Sequence, residues 1–175
     1  MRKQFLSIAV LLSTATSAWA ADPCTNIPDA ARAYLKAHPD WKILRTSDLI
    51  DDDKQLWRHY HKAVCPGLAE VDLDGSGKRY IGLALIRTTK SAQEERVIIV
   101  RAARDKLETW TIYSEFKAPP YTVIWRVSPG TTWEWDQPNR KIRIPNDSLV
   151  AATLESAAQQ FYLKNGKLVY VQTSD

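Results

Sequence analysis

The stretch CPGLAEVDLDGSGKRYIGLALI, residues 65–86, marks the point at which the pattern of this 175-residue chain changes. Before Cys65 the apolar residues recur at helical spacing. The later segments are short, rich in β-branched and aromatic residues, and separated by turns. Consecutive strands with short links favour antiparallel pairing. We therefore predict an α+β fold, with two N-terminal helices followed by a mostly antiparallel β-sheet in a single domain.

Two helices are predicted before this stretch. The first begins with Asn26 as its capping residue and ends before Pro39, because a proline disfavours helical geometry in the residue that precedes it. The second runs from 47 to about 62 and carries its acidic residues toward its N-terminal end, where the helix dipole favours them. A short strand, 41–44, separates the two helices.

Nine strands are predicted after the change of pattern. The last two flank Asn165-Gly166, a dipeptide typical of tight hairpins. The segment 149–158 fits either a helix or a strand. The predicted strands are 69–73, 79–86, 96–101, 108–114, 121–127, 132–135, 141–144, 160–163 and 167–171.

The first residues have the layout of a secretory signal peptide. A basic start with Arg2 and Lys3 precedes an apolar run over 5–12, and small residues lead to a cleavage site after Ala20. The run is shorter than the roughly 20 apolar residues that a membrane span needs. We predict a signal peptide over 1–20, a mature domain over 21–175, a periplasmic or secreted location and no membrane span.

Cys24 and Cys65 are the two cysteines of the chain. In an oxidising compartment an isolated pair of this kind favours one disulfide, which would join the N-terminal segment to the start of the sheet. The spacing does not match the close C-x-x-C motif of redox or metal sites.

The charge of the mature chain is nearly balanced. The leader holds two of the 24 basic residues and none of the 20 acids, so 22 bases face 20 acids after cleavage. A net charge near +2 provides no general attraction to nucleic acid or to an anionic membrane. We predict no nucleic-acid partner.

A partial calcium motif follows the change of pattern. Asp72, Asp74 and Ser76 occupy the first three ligand positions of a calcium loop, and Gly77 follows them. The second half of the motif is absent, because Leu83 stands where a bidentate Glu is needed. A glycine-rich turn between two strands explains the same residues without a metal. Calcium is therefore one of two interpretations, and we predict no other cofactor.

The run Trp133-Glu134-Trp135-Asp136 alternates aromatic and acidic residues. On a strand both tryptophans would share one face and both acids the other. One interpretation is a ligand-binding aromatic surface, joined by Trp125, or a pair of catalytic carboxylates. The other interpretation is a core-facing tryptophan pair with solvated acids opposite.

Familiar catalytic signatures are missing from the sequence. It contains no G-x-S-x-G elbow, phosphate-binding glycine loop or H-E-x-x-H motif. His59 and His61 are predicted to be surface residues beside basic neighbours rather than metal ligands. We therefore favour a protein without catalytic activity.

The order of several short motifs resembles a group of small secreted bacterial proteins of uncharacterised function. The resemblance rests on Cys65-Pro66-Gly67, the D-x-D-G-x-G-K block over 72–78 and the C-terminal Thr173-Ser174-Asp175. It implies a bacterial envelope or secreted protein and carries over no catalytic residue.

Three functions are consistent with the sequence. The first is a non-catalytic binding module of the bacterial envelope, of the inhibitor or immunity type, with a protein or a cell-wall glycan as its partner. The second is a glycan-acting enzyme that uses Glu134, Asp136 or Glu155 as catalytic carboxylates. The third is a structural module stabilised by calcium.

Overall fold

The computed structural model describes residues 22–104, 106–154 and 156–174. The predicted signal peptide over 1–20 and Glu155 lie outside the described residues. Within them, no helix is both long enough and apolar enough to cross a membrane.

The described residues form two helices and a larger number of strands. The helices are α1, Asp29–Ala37, and α2, Asp51–Tyr60. The strands are β1 Lys42–Ile43, β2 Leu68–Val71, β3 Tyr80–Thr88, β4 Gln93–Ala103, β5 Lys106–Ala118, β6 Thr122–Val127, β7 Gly130–Glu134, β8 Gln137–Ile144, β9 Ser148–Thr153, β10 Ala158–Lys164 and β11 Lys167–Ser174.

The strands form three antiparallel sheets. Sheet A has the order β1-β3-β4-β5, with β2 also paired to β3; sheet B has the order β11-β10-β9-β6; and sheet C is the β7–β8 hairpin. Antiparallel pairing is thus confirmed, but the prediction of one sheet is wrong. The two helices also do not both precede the strands, because β1 lies between them and pairs with β3.

Strand β3 is apolar on both of its faces, and this explains the layered arrangement. Gly82, Ala84 and Ile86 face a core shared with sheet B. Ile81, Leu83 and Leu85 project to the opposite side, where they belong to a second core. Because successive side chains of a strand alternate between faces, sheet A must be covered on both sides.

The second core is closed by α1 and the disulfide. Ala31 and Tyr34 are three residues apart on one side of α1, and both are buried against this face of sheet A. The predicted bond between Cys24 and Cys65 is present, and both cysteines are buried. The disulfide therefore joins the segment before α1 to the loop that leads into β2.

Sheets A and B approach each other closely at Gly82. A Cβ atom at this position would lie 2.8 Å from Cδ1 of Leu149 and 3.2 Å from Cδ1 of Ile124. Because Gly82 has no side chain, the side chains of Leu149 and Ile124 can pack directly against the backbone of β3.

Sheet C covers part of the other face of sheet B. Ile144 packs with Tyr162 and Val171, and Ile142 and Val169 border this small third core. The turn of the hairpin is fixed to the edge of sheet B, since the backbone N–H of Trp135 donates to the carbonyl of Gln172 at 2.9 Å.

The helix starts differ from the sequence prediction. Pro28, not Asn26, is the N-cap of α1, and its carbonyl accepts the first helical hydrogen bond from Arg32. Helix α2 begins four residues later than predicted. The reason is a turn before it, in which the Asp48 carboxylate accepts a hydrogen bond from the Arg45 backbone N–H at 2.8 Å.

The strand predictions are largely confirmed. Asn165 and Gly166 have φ values of 53° and 74°, which a tight two-residue hairpin turn requires. The ambiguous segment 149–158 contains β9 followed by a turn.

Removing the disulfide should destabilise the fold without abolishing it. In the chain-entropy model, a bond that closes a loop of 41 residues stabilises the native state by about 4 kcal/mol. We expect the Cys24→Ala/Cys65→Ala variant to lose about this much unfolding free energy in urea denaturation. Reductant should lower the midpoint of the parent protein and leave the variant unchanged. Equal midpoints of parent and variant would contradict this role.

Candidate functional site

The β7–β8 hairpin has one face against the protein and one toward solvent. Thr132 pairs with Ile142, and Trp133 pairs with Lys141. Directly paired residues of antiparallel strands project to the same side. Because Ile142 and Ile144 contact sheet B, the face that carries Trp133 and Lys141 is turned outward.

Trp133 and Trp135 present indole rings on this hairpin, and we call them the Trp platform. Their exposed fractions are 49% and 55%. The Nζ atom of Lys141 lies 4.7 Å from the ring centroid of Trp133. The core-facing interpretation of the pair is therefore wrong. The inward positions are occupied by isoleucines of β8, and Trp135 lies in the turn rather than on the strand.

The two acids of this run have different surroundings. Glu134 accepts a hydrogen bond from Nη1 of Arg140 at 2.7 Å, and its side chain is 21% exposed. Asp136 lies exposed in the turn. Neither residue lines any of the three clefts described in the following paragraphs. The guanidinium group of Arg140 holds Glu134 in an ion pair rather than leaving it facing a substrate pocket.

A cleft of about 420 Å³ lies beside the Trp platform, between β8 and the tip of the β10–β11 hairpin. We call it the basic groove, because its lining includes four cationic side chains and no carboxylate. The lining residues are Arg140, Lys141, Ile142, Arg143, Pro145, Tyr162, Leu163, Lys164 and Asn165.

The sequence predictions did not include the cations of this groove. A signal was present, because the run Arg140-Lys141-Ile142-Arg143-Ile144 alternates, with isoleucines on one face and two cations on the other. Lys164 could not be joined to them from the sequence, because it belongs to a different hairpin.

Trp125 does not belong to the Trp platform. Its ring packs at 4.7 Å from His61 and at 6.1 Å from Trp57, measured between ring centroids. His61 also stacks on Trp57 at 4.2 Å, so it is a half-buried aromatic contact rather than a simple surface residue. Burial lowers the pKa of His61.

A second cleft, of about 510 Å³, lies next to this aromatic cluster. Arg45, Arg58 and Lys62 are among its lining residues, together with Trp57 and Val64. Arg45 is paired with Asp22 at 2.8 Å, and Trp57 donates its indole N–H to the Val64 carbonyl. The lining of this cleft includes an acid, Asp22, whereas the lining of the basic groove includes none.

The three candidate calcium ligands lie in the turn between β2 and β3. Asp74 accepts hydrogen bonds from the backbone N–H and the hydroxyl of Ser76 and from the Tyr80 hydroxyl. Burial opposes ionisation of Asp74, but these hydrogen bonds outweigh it and lower its pKa to about 2. Asp72 accepts from the Gly77 N–H. These contacts engage both carboxylate oxygens of Asp74 and one of Asp72, and the calcium site stays a prediction.

This turn also borders a third cleft, of about 410 Å³, which includes Asp72 and Asp147. Asp147 is buried and paired with Arg126 at 2.9 Å, and it accepts a hydrogen bond from the Asp72 backbone N–H. Oδ1 of Asp72 is buried and has no hydrogen-bond partner among the described residues. The side chain as a whole is only half-buried, so this oxygen alone does not define a ligand site.

Comparisons with protein-family models, with curated proteins and with solved structures find no match for this chain. The resemblance to a group of small secreted bacterial proteins therefore stays a prediction. The function must be argued from the geometry of the chain itself.

A buried carboxyl group connects sheets A and B away from the Trp platform. Glu95 on β4 is fully buried, and its two oxygens accept the Thr122 backbone N–H at 2.8 and 3.0 Å. Burial raises the pKa of Glu95 to about 8, although the hydrogen bonds from Thr122 favour the ionised form. The folded protein therefore keeps this carboxyl protonated at a pH where the unfolded chain has released the proton.

This difference predicts that stability falls as pH rises. The contribution of Glu95 is fully present below the unfolded pKa of about 4.3 and is lost as pH rises toward 8, by up to about 1.4 kcal/mol for each pH unit. We expect urea denaturation at about pH 5 and about pH 8 to show this loss in the parent protein and a smaller one in Glu95→Gln, which stays neutral. Parallel pH profiles of the two proteins would contradict the assignment.

Proposed function

We propose that this protein is an exported, non-catalytic binding module of the bacterial envelope that holds cell-wall glycan on the Trp platform. The observation that carries the proposal is the outward orientation of Trp133 and Trp135 on one hairpin. Trp41 and Trp57, by contrast, are buried. Two large aromatic side chains left open to solvent on neighbouring positions are typical of a contact surface.

The chemistry of these rings suits a sugar ligand. An indole ring offers a flat apolar face and an N–H donor, so it can cover the apolar face of a sugar ring and still hydrogen-bond to a hydroxyl. The ring of Trp133 contacts the cation of Lys141, and this contact favours one orientation of the ring before a ligand arrives. Such a preference reduces the side-chain entropy lost on binding.

Two further observations support the exported and non-catalytic parts of the proposal. The buried disulfide is typical of proteins that fold in an oxidising compartment. Glu134, the acid between the two tryptophans, is already paired with the guanidinium group of Arg140. Binding rather than bond cleavage is therefore the activity that this hairpin supports best.

The Trp133→Ala/Trp135→Ala variant should lose glycan binding. A hot-spot aromatic contributes about 2 kcal/mol, so we expect affinity for purified peptidoglycan fragments to fall by about thirty-fold for one such ring and by up to about a thousand-fold for two. The melting temperature should change little, because both rings are outside the core. Tyr60→Ala is the matched control, since Tyr60 is 71% exposed but lies on α2. Unchanged binding by the double variant would contradict the proposal.

The Glu134→Gln/Asp136→Asn variant tests the enzymatic alternative. We expect it to retain glycan binding, because it keeps both tryptophans of the platform and removes no cation of the neighbouring cleft. Incubation of the parent protein with peptidoglycan should release no reducing sugar. Release by the parent that is abolished in this variant would overturn the non-catalytic assignment. Inhibition of a muramidase that depends on Trp133 would indicate a protein partner instead.

A further inference from the structure

The basic groove carries more positive than negative charge. Arg87, Arg101 and Arg126 each form an ion pair with a carboxylate. In the groove, Arg140 has such a partner in Glu134, but Arg143 and Lys164 form no ion pair within the described parts of the chain. The lining therefore concentrates positive charge in a chain whose predicted mature form is nearly neutral.

This concentration of cations favours an anionic ligand. Like charges in one cleft repel each other, and an anion placed between them relieves this repulsion while gaining several attractive contacts. The planar guanidinium of Arg143 can form two parallel hydrogen bonds to one carboxylate. Asn165 adds an amide group to the same lining. The groove thus provides both charge and directional donors.

The groove and the Trp platform form one continuous surface. Lys141 belongs to both, because it lines the groove and also lies over the ring of Trp133. A ligand that stacks on Trp133 therefore reaches the first cation of the groove without leaving the hairpin. Its acidic groups would meet Arg143 and Lys164 beyond that point.

We propose that the basic groove binds the carboxylates of an acidic glycan whose neighbouring sugar rings stack on the Trp platform. This inference rests on the proposed function and adds the substrate class, a glycan that carries carboxylates on its sugar units. A nucleic acid is disfavoured, because the predicted mature chain is nearly neutral overall, with 22 basic and 20 acidic residues, and the cations of the groove occupy one short cleft rather than an extended track.

The test compares two oligosaccharides of equal length, oligogalacturonate and a neutral gluco-oligosaccharide, by titration calorimetry. We expect the parent protein to bind the acidic probe about ten-fold more tightly at about 20 mM salt, with the advantage reduced at about 300 mM. Arg143→Gln/Lys164→Gln should remove this advantage and leave the neutral probe unaffected. Lys36→Gln/Lys90→Gln is the matched control, because it removes the same charge from exposed sites elsewhere.

The outcomes separate this inference from the proposed function. If the groove variant binds the acidic probe as well as the parent does, the inference is overturned, while loss of both probes in Trp133→Ala/Trp135→Ala would still support the platform. If Trp133→Ala/Trp135→Ala binds both probes as tightly as the parent does, while the groove variant loses affinity for the acidic probe, the proposed function fails and the groove is an independent anion site. Tighter binding of a single-stranded oligonucleotide than of oligogalacturonate would overturn the assignment to a glycan.

Discussion

The structure depends on the need to cover both faces of β3. Its residues alternate between two cores, and neither set of apolar side chains can remain in water without a large cost in free energy. One face requires α1 and the segment held by the disulfide, and the other requires sheet B. The position of Gly82 adds a steric condition, because sheet B can approach closely only where this strand lacks a side chain. The covalent link and the second sheet thus serve the same central strand from opposite sides.

Sheet B in turn has a second face, and the hairpin that covers part of it carries the proposed binding surface. The β7–β8 hairpin contributes Ile142 and Ile144 to a small core on that face. Strand alternation then places Trp133, Lys141 and Arg143 outward. The residues that hold the hairpin and those that we propose to contact a ligand are therefore different residues of the same strands. Because of this separation, the outward side chains can be substituted without disturbing the core.

Much of the local structure could be predicted from the sequence. The disulfide followed from an isolated cysteine pair, and the Asn165-Gly166 turn followed from its backbone requirements. The division into three sheets could not be predicted, because alternation along a strand does not identify the strand with which it pairs. The same limit explains the error at Trp133. Strand alternation predicts that Trp133 and Glu134 project to opposite faces of the strand. It does not show which face meets the protein, and this is determined by the packing of Ile142. The basic groove could not be predicted as a whole, because it forms where two hairpins approach each other and the sequence does not show which hairpins are neighbours.

We propose that the ligand is bound at the β7–β8 hairpin and not at the cleft of about 510 Å³ that includes Trp57 and Val64. Hydrogen–deuterium exchange of the intact protein, with and without soluble peptidoglycan fragments, locates the contact directly. We expect slower amide exchange within 130–145 and near the β10–β11 turn, with no change around Val64. Slower exchange confined to α2 and the residues around Cys65, or no slowing anywhere, would contradict it.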